Sequence, residues 1–250
     1  MKLRNSFATV LAAAAGVMGM AAAPAMATAP ATTHVATTVA KKTPQLTTTF
    51  SSTALGYGKW LKVTVHLGPT ATNRTVSVHV LNWGTRQSFV AETGKVDKAG
   101  NFTFNWWDAQ TRTWWASFSG DASDNAVTTK GVAVHVGSLT SGSFSHYYAT
   151  KSWNGHSVKE FHASSVPLLQ GTVTPNKSGQ NISVDAQYYN GRSWVSNGAK
   201  SFALSSGSAF GIEFEPSWPK GFEYRTAVSY GGDLSNGGSS TGWEYWTVTN

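Results

Sequence analysis

The chain has 250 residues, with 19 Lys and Arg against 12 Asp and Glu, for a formal charge of +7. It has no cysteine, which excludes a disulfide framework and thiolate chemistry. Charged residues are only 12% of the chain and the basic ones are scattered, which argues against nucleic-acid recognition and for weak attraction to polyanions such as anionic cell-wall polymers.

The first segment has the order of a secretory signal peptide. Lys2 and Arg4 form a basic head, Phe7 to Ala23 is an uncharged apolar run, and Ala25-Met26-Ala27 offers a small-x-small cleavage site. Cleavage is expected after Ala27, giving a signal peptide over 1–27, with Ala29 as second choice. A transmembrane anchor is the weaker reading. The run is Ala-rich, broken by Pro24, and shorter than the ~20 strongly apolar residues that a span needs. No other stretch reads as membrane-embedded, so the expected product is secreted, or held at the wall by non-covalent contacts. Residues 28–43 are Ala, Thr, Pro and Val with Lys41 and Lys42, and read as a flexible linker.

From Pro44 onward, short β-branched or aromatic runs alternate with Gly, Asn, Asp and Ser clusters, and no amphipathic helix of useful length intervenes. Strands are expected near Leu46–Ser51, Trp60–Leu67, Thr75–Asn82, Gln87–Glu92, Asn101–Trp106, Thr113–Phe118 and Val132–Val136. Leu61, Val63, Val65 and Leu67 share one face, while Lys62, Thr64 and His66 share the other. Val76, Val78 and Val80 repeat the pattern, as do Phe102, Phe104 and Trp106. Such period-2 writing suits a half-buried antiparallel sheet, and the strand count suits an immunoglobulin-like sandwich over 44–138.

The second half, 139–250, reads in the same way. Strands are expected near Ser143–Thr150, Ser157–Ala163, Leu168–Val173, Asn181–Tyr189, Ser193–Val195, Ser201–Leu204, Phe210–Phe214, Tyr224–Tyr230 and Trp243–Val248. Asn190-Gly191 is expected to form a two-residue type I′ hairpin turn. The halves echo each other. Ser77-Val78-His79 corresponds to Ser183-Val184-Asp185, and Gly120-Asp121 to Gly232-Asp233, each followed by Ser and Asn (Ser123 and Asn125, Ser235 and Asn236). A diverged tandem duplication is the natural reading, with its boundary near Gly137–Ser143. The expected fold class is therefore all-β: two tandem immunoglobulin-like antiparallel β-sandwiches after a signal peptide and a short linker.

The runs Lys62-Val63-Thr64-Val65, Asn73-Arg74-Thr75-Val76-Ser77-Val78, Thr93-Gly94-Lys95-Val96-Asp97, Gly100-Asn101-Phe102-Thr103 and Ala116 to Asp121 resemble the bacterial immunoglobulin-like repeats of exported actinobacterial proteins. Val173-Thr174-Pro175-Asn176, Ala186-Gln187, Trp194, Tyr224-Arg225 and Trp246-Thr247-Val248 are similar to the partner domain that often follows. The resemblance spans roughly Thr43 to Asn250. It implies the sandwich fold and an exported location, but no activity, since fold does not fix function. Some members of the second type carry a cysteine pair bridging neighbouring strands, and this chain departs from them.

Residues that could carry chemistry are sparse, so no enzyme activity and no cofactor are expected. His66, His79 and His135 alternate with Val and read as outward strand residues. His146, His156 and His162 could meet across a hairpin as a metal site, with only Glu160 nearby. Glu213 and Glu215 share one strand face and read as solvated groups rather than a catalytic pair. Asp121, Asp124 and Asn125 crowd one loop as weak calcium candidates, though three side chains fall short of six to eight oxygens, and turn stabilisation is the plainer reading. Tryptophan is the unusual feature. By alternation Trp106 and Trp114 point inward, leaving Trp107 and Trp115 outward near one corner, as caps of the sandwich or as a ligand-binding patch. Trp243, Tyr245 and Trp246 raise the same question in the second half. The expected function is a secreted, non-enzymatic interaction or adhesion module, free or wall-associated. The alternative is a carbohydrate-binding protein using its surface tryptophans, so that the partner is an unknown protein or a cell-wall polysaccharide.

Overall fold

The computed structural model describes residues 40–68, 73–215 and 218–249. The expected signal peptide and linker residues 28–39 lie outside them. Among the described residues every regular element is a strand, and no helix is long and apolar enough to cross a membrane.

The first sandwich contains β1 (Gln45–Phe50), β2 (Ala54–Leu55), β3 (Lys59–Gly68), β4 (Thr75–Asn82), β5 (Ser88–Lys95), β6 (Asn101–Asp108), β7 (Arg112–Phe118), β8 (Val127–Thr128) and β9 (Val132–Val136). One sheet runs β1-β3-β6, and the other runs β2-β9-β7-β4-β5 with β8 alongside β7. The alternation does what its period requires. Leu61, Val63, Val65 and Leu67 from β3 meet Val76, Val78 and Val80 from β4 across a dry core. Trp114 is fully buried at its centre, with Trp106 edge-on at 5.8 Å and Phe50 at 6.3 Å.

The second sandwich contains β10 (Leu139–Ser145), β11 (Ala149–Trp153), β12 (His156–His162), β13 (Leu168–Thr174), β14 (Asn181–Tyr189), β15 (Trp194–Ala203), β16 (Ala209–Glu213), β17 (Glu223–Gly232), β18 (Gly237–Ser240) and β19 (Glu244–Thr249). Its small sheet runs β10-β13-β16, and its large sheet runs β11-β12-β19-β17-β14-β15 with β18 on β17. Trp246 is fully buried here, ringed by Phe144, Phe214, Trp218 and Tyr224 at 4.6–5.5 Å. In both sandwiches the last strand pairs in parallel with an early one, β9 with β2 and β19 with β12. This is immunoglobulin-like strand order, written twice.

Three sequence expectations need correction. Ser143–Thr150 is not one strand: the chain leaves β10 at Ser145, passes His146 at a positive φ of 65°, and enters the opposite sheet as β11. The side-chain period carries no mark of such a change of sheet. Ser193–Val195 and Ser201–Leu204 are the two ends of a single strand, β15, opposite a register shift between Asp185 and Gln187. Asn190-Gly191 does not form a two-residue turn. Tyr189 pairs with Trp194 across four loop residues, and the Asn190 side chain accepts hydrogen bonds from the amides of Arg192 and Ser193. The two-residue turn is Asn154-Gly155, with both φ values positive (46° and 78°) and Trp153 paired to His156.

The duplication extends to one loop in detail. Asp121 Oδ1 accepts from the amides of Ser123 and Asp124 at 2.8 and 2.9 Å, and Asp233 Oδ1 accepts from those of Ser235 and Asn236 at 2.8 Å. Arg74 lies over Phe118 and reaches Asp121 and Asp124, while Lys177 lies over Tyr230 and reaches Asp233 and Asn236. Each loop also receives the chain that precedes its sandwich. Lys42 bridges to Asp124, so residues 41–43 lie against the first loop, and Gly137 bridges to Gly237.

The second loop joins the sandwiches. The two hydrophobic clusters are separate, and a set of hydrogen bonds spans the joint. Asn236 Nδ2 donates to Ala109 O at 2.9 Å and to Val136 O at 3.5 Å, while the Thr111 and Ser138 amides donate to Ser235 O and Gly237 O at 2.6 and 2.8 Å. Gly84 lies so close that a Cβ there would sit 2.0 Å from Ser235 Oγ.

Two outcomes are expected from this joint. Replacing Asn236 with Asp, the residue at the matching position of the first loop, removes the donor and sets a carboxylate beside two carbonyl oxygens. A loss of about 1–3 kcal/mol is expected in calorimetric unfolding, with a broader interdomain distance distribution in small-angle scattering. The second concerns acid. Burial pushes the Asp233 carboxyl up, but the hydrogen bonds from Lys177, Gln180 and the Asn236 amide outweigh it and hold the group well below its ordinary value of 3.8. A carboxylate depressed on folding contributes stability that is complete above its ordinary pKa and is lost as pH falls below it. The stability difference between the wild type and Asp233→Asn in denaturant titrations should therefore be constant above about pH 5 and shrink below about pH 4.

Candidate functional site

Among the described residues the most open aromatic surface is on the outer face of β1-β3-β6. Trp60 on β3 and Trp107 on β6 are directly paired across the strands and are 65% and 45% exposed. Tyr57, in the turn before β3, meets Trp107 edge-on at 5.9 Å. The turn residue Gly58 has φ 69°, and a Cβ there would sit 3.4 Å from the Trp107 indole nitrogen. Next along the same face come the pair Lys62 and Asn105, then Thr64 and Thr103 with hydroxyls 2.9 Å apart, then His66 and Asn101 bonded at 3.0 Å. The face is thus an aromatic pair at one end of a ladder of hydrogen-bonding side chains.

Trp115 does not belong to it. Trp107 is outward, as alternation requires, but β6 and β7 are in opposite sheets, so the outward faces of Trp107 and Trp115 lie on opposite sides of the sandwich. Trp115 is half-buried and stacks on His79 at 5.3 Å, with His79 bonded to Ser117. The partner that Trp107 does have, Trp60, was available from parity, because it shares the face of Lys62.

Trp243 and Tyr245 belong to a second aromatic surface, on the outer face of the large sheet of the second sandwich. Tyr245, Arg225 and Gln187 are cross-strand neighbours on β19, β17 and β14. The Arg225 guanidinium lies between two rings, 4.4 Å from Trp194 and 4.1 Å from Trp243, and its Nε and Nη2 donate to Gln187 Oε1. Trp194 meets Tyr245, Tyr189 and Trp153, and His156 stacks on Tyr245 at 4.0 Å. The Trp and Tyr rings are half-buried, His156 is exposed, and together they hold one another in a stiffening layer with cation–π contacts of about 0.5–2 kcal/mol. Nothing in strand periodicity marks Arg225 or Trp194 as partners, because they come together only through sheet order.

The remaining candidates are engaged within the fold. Asp121 and Asp124 face the Arg74 guanidinium, and Asn125 Nδ2 donates to Lys41 O and Thr43 Oγ1, so the cation in this loop is a side chain. The backbone hydrogen bond from Ser123 holds the Asp121 carboxyl below its ordinary value. His156 and His162 occupy opposite ends of β12, about 20 Å apart at ~3.3 Å per residue, so they cannot converge on one metal. His162 stacks on Tyr148 at 3.9 Å. Asp108 is fully buried and raised by that burial, against the attraction of Arg112, its ion-pair partner at the base of the joint. Tyr224 is pushed up to about 12 by burial. Glu213 and Glu215 are exposed on the rim of a cleft in the second sandwich.

Removing metal and removing Arg74 should therefore differ. A chelator should leave the melting temperature unchanged, whereas Arg74→Met, which strands the buried Asp124 carboxylate, should lower it by about 4–8 °C in differential scanning fluorimetry.

No protein-family model and no curated protein matches the chain. Among solved structures it is similar to a Salmonella alpha-2-macroglobulin mutant over 84% of its length, at 11% identity and a TM-score of 0.29. It spans 15% of that protein's chain. It is also similar to a marsupial T cell receptor over 81% of its length, at 10% identity and a TM-score of 0.29, spanning 72% of that chain.

Proposed function

We propose that the chain is an exported, non-enzymatic interaction module that meets its ligand on the outer face of β1-β3-β6. The observation that carries this reading is the Trp60–Trp107 pair, two large rings held across adjacent strands with open faces toward solvent. Such a pair exposes apolar area that a folded surface ordinarily covers, and rigid aromatic anchors of this kind dominate binding energetics. Supporting it, the carboxyl groups with shifted acidity, Asp108, Asp121 and Asp233, are committed to structural contacts. Export rests on the basic head, apolar run and cleavage site of the first 27 residues, and on the resemblance to bacterial immunoglobulin-like repeats.

A second, narrower reading is favoured by the neighbours of the rings. Lys62, Asn105, Thr64 and Thr103 line the same face. Indole faces beside hydroxyl, amide and ammonium groups suit a polysaccharide, whose sugar rings offer C–H faces to stack and hydroxyls to bond. A wall polysaccharide also agrees with the diffuse positive charge.

Binding to cell-wall polysaccharide and to secreted proteins of the producing culture should be measured with Trp60→Ala, Trp107→Ala and Trp115→Ala. Each of the first two should cost about 2 kcal/mol, roughly thirtyfold in affinity, and the third should change it little. Equal loss in all three, or no loss in the first two, would sink the proposed face.

A further inference from the structure

The duplicated loops differ in what stands on each side of the clasp. In the first sandwich the Arg74 guanidinium meets the carboxylates of Asp121 and Asp124. A guanidinium stays protonated and offers no free electron pair, so this pairing is inert. In the second sandwich the same two places hold an amine and a carboxamide, Lys177 and Asn236, with Asp233 beside them. Both members of the pair differ, and the new pair is one that can react. A neutral lysine amine is a nucleophile, and the carbon of an amide is an electrophile.

The geometry brings the two within reach. Lys177 Nζ lies 2.9 Å from Asn236 Oδ1, and a C=O bond is about 1.23 Å, so Nζ is at most about 4.1 Å from the amide carbon Cγ. Lysine is rarely buried, yet Lys177 is 5% exposed and Asn236 1%. Both are fixed in place. The Lys177 amide donates to Ser208 Oγ, which donates in turn to Val173 O, and Nζ lies over the Tyr230 ring. Asn236 Nδ2 is held by Ala109 O and Val136 O. Asp233 completes the set: its Oδ2 accepts from Nζ at 2.8 Å, and its Oδ1 accepts from the Asn236 backbone amide. A carboxylate against the nucleophile is where a proton acceptor has to stand, and reactants held in contact need no encounter.

We infer that Lys177 and Asn236 join through their side chains as an isopeptide, formed by the folded chain itself. Asp233 Oδ2 takes a proton from Nζ, and the Nζ lone pair attacks Cγ. The Cγ–Nδ2 bond breaks as the Cγ–Nζ bond is completed. The two protons that Nζ gives up pass by way of Asp233 to Nδ2, which leaves as ammonium, so Asp233 ends as the carboxylate it began as. Nothing is oxidised or reduced, and no co-reactant is consumed. Asp233 holds a proton poorly, which makes the reaction slow, but each molecule needs it only once. The link spans 59 positions of sequence and ties the crossing from β13 to β14 to the turn between β17 and β18, the service of a disulfide in a chain without cysteine. The joint keeps its backbone bonds from Thr111 and Ser138, while Ala109 O and Val136 O give up the Nδ2 donor.

Intact mass spectrometry of the full chain tests it, with proteolysis and tandem mass spectrometry to place the change. As purified or after incubation at neutral pH, the wild type should be lighter than its sequence by one ammonia, about 17 Da, and should yield a branched peptide joining Lys177 to Asn236. Lys177→Arg, which puts a guanidinium where the first sandwich has one, and Asn236→Ala should keep the masks of their sequences unchanged in mass. Asp233→Asn should slow the loss by about a hundredfold or more. A wild type that keeps its full mass on prolonged incubation overturns the inference. So does a loss confined to a linear peptide holding Asn236-Gly237 and reversed by mild base, which is closure of Asn236 on the Gly237 amide as a succinimide. Equal loss in Lys177→Arg overturns it as well. The wild-type measurement decides by itself, even if a variant fails to fold.

Discussion

The side chain of Asn236 is buried between two sandwiches and is fully employed. Its amide nitrogen faces two carbonyl oxygens of the first sandwich, Ala109 O and Val136 O, and its oxygen accepts from the Lys177 ammonium of the second. A buried carbonyl left without a donor costs more than a made bond returns, so the joint tolerates few alternative arrangements. The matching residue of the first loop is Asp124, whose carboxylate has no proton to give a carbonyl and instead takes the Arg74 guanidinium. One atom's difference thus separates a loop that locks its own sandwich from a loop that also clasps a neighbour. With two separate hydrophobic cores, the hydrogen bonds of this loop set the order of the joint.

Where the aromatic surfaces fall follows from the crossing of the chain between sheets. Successive strands that form a hairpin keep their outward side chains on one face, but β6 and β7 belong to different sheets. Outward residues of consecutive strands then face opposite directions. Trp107 finds its neighbour on β3, forty-seven residues earlier in the chain, and Trp115 finds His79 on β4. Each outer face is assembled from strands remote in sequence, which is why one carries an open tryptophan pair and another a closed layer around Arg225.

The same crossing separates what the sequence makes legible from what it does not. Alternation at Leu61 to Leu67, Val76 to Val80 and Phe102 to Trp106 placed the first-sandwich strands and their buried faces correctly, because side-chain parity is a local property. It also made Trp107 outward, and it would have made Trp60 so. Partnership is not local. The pairing of Trp107 with Trp60, the enclosure of Arg225 by Trp194 and Trp243, and the engagement of Asp121 and Asp124 by Arg74 all depend on strand order. The change of sheet at His146 was hidden for a related reason: a non-glycine residue at positive φ breaks a strand without breaking its apolar pattern. Of the four Asn-Gly pairs, the one that joins two paired strands as a two-residue turn is Asn154-Gly155. At Asn190 the side chain instead bonds the backbone of its own loop, so a dipeptide preference gave way to a local hydrogen bond.

Duplicates that share a core plan but not its filling show where constraint has been relaxed. The cation–loop clasp is kept in both halves, with Arg74 and Lys177 playing one part and Phe118 and Tyr230 another, because both sandwiches must close the same end. The seat of the edge-strand ring is not kept: the Phe102 ring of β6 lies over Gly94 on β5, whereas the Phe210 ring of β16 lies over Gly142 and Gly171 on β10 and β13. Gly142 and Gly171 each forgo the packing that a side chain would supply in a strand. That space is taken by the Phe210 ring, which packs on both glycines as the Phe102 ring packs on Gly94.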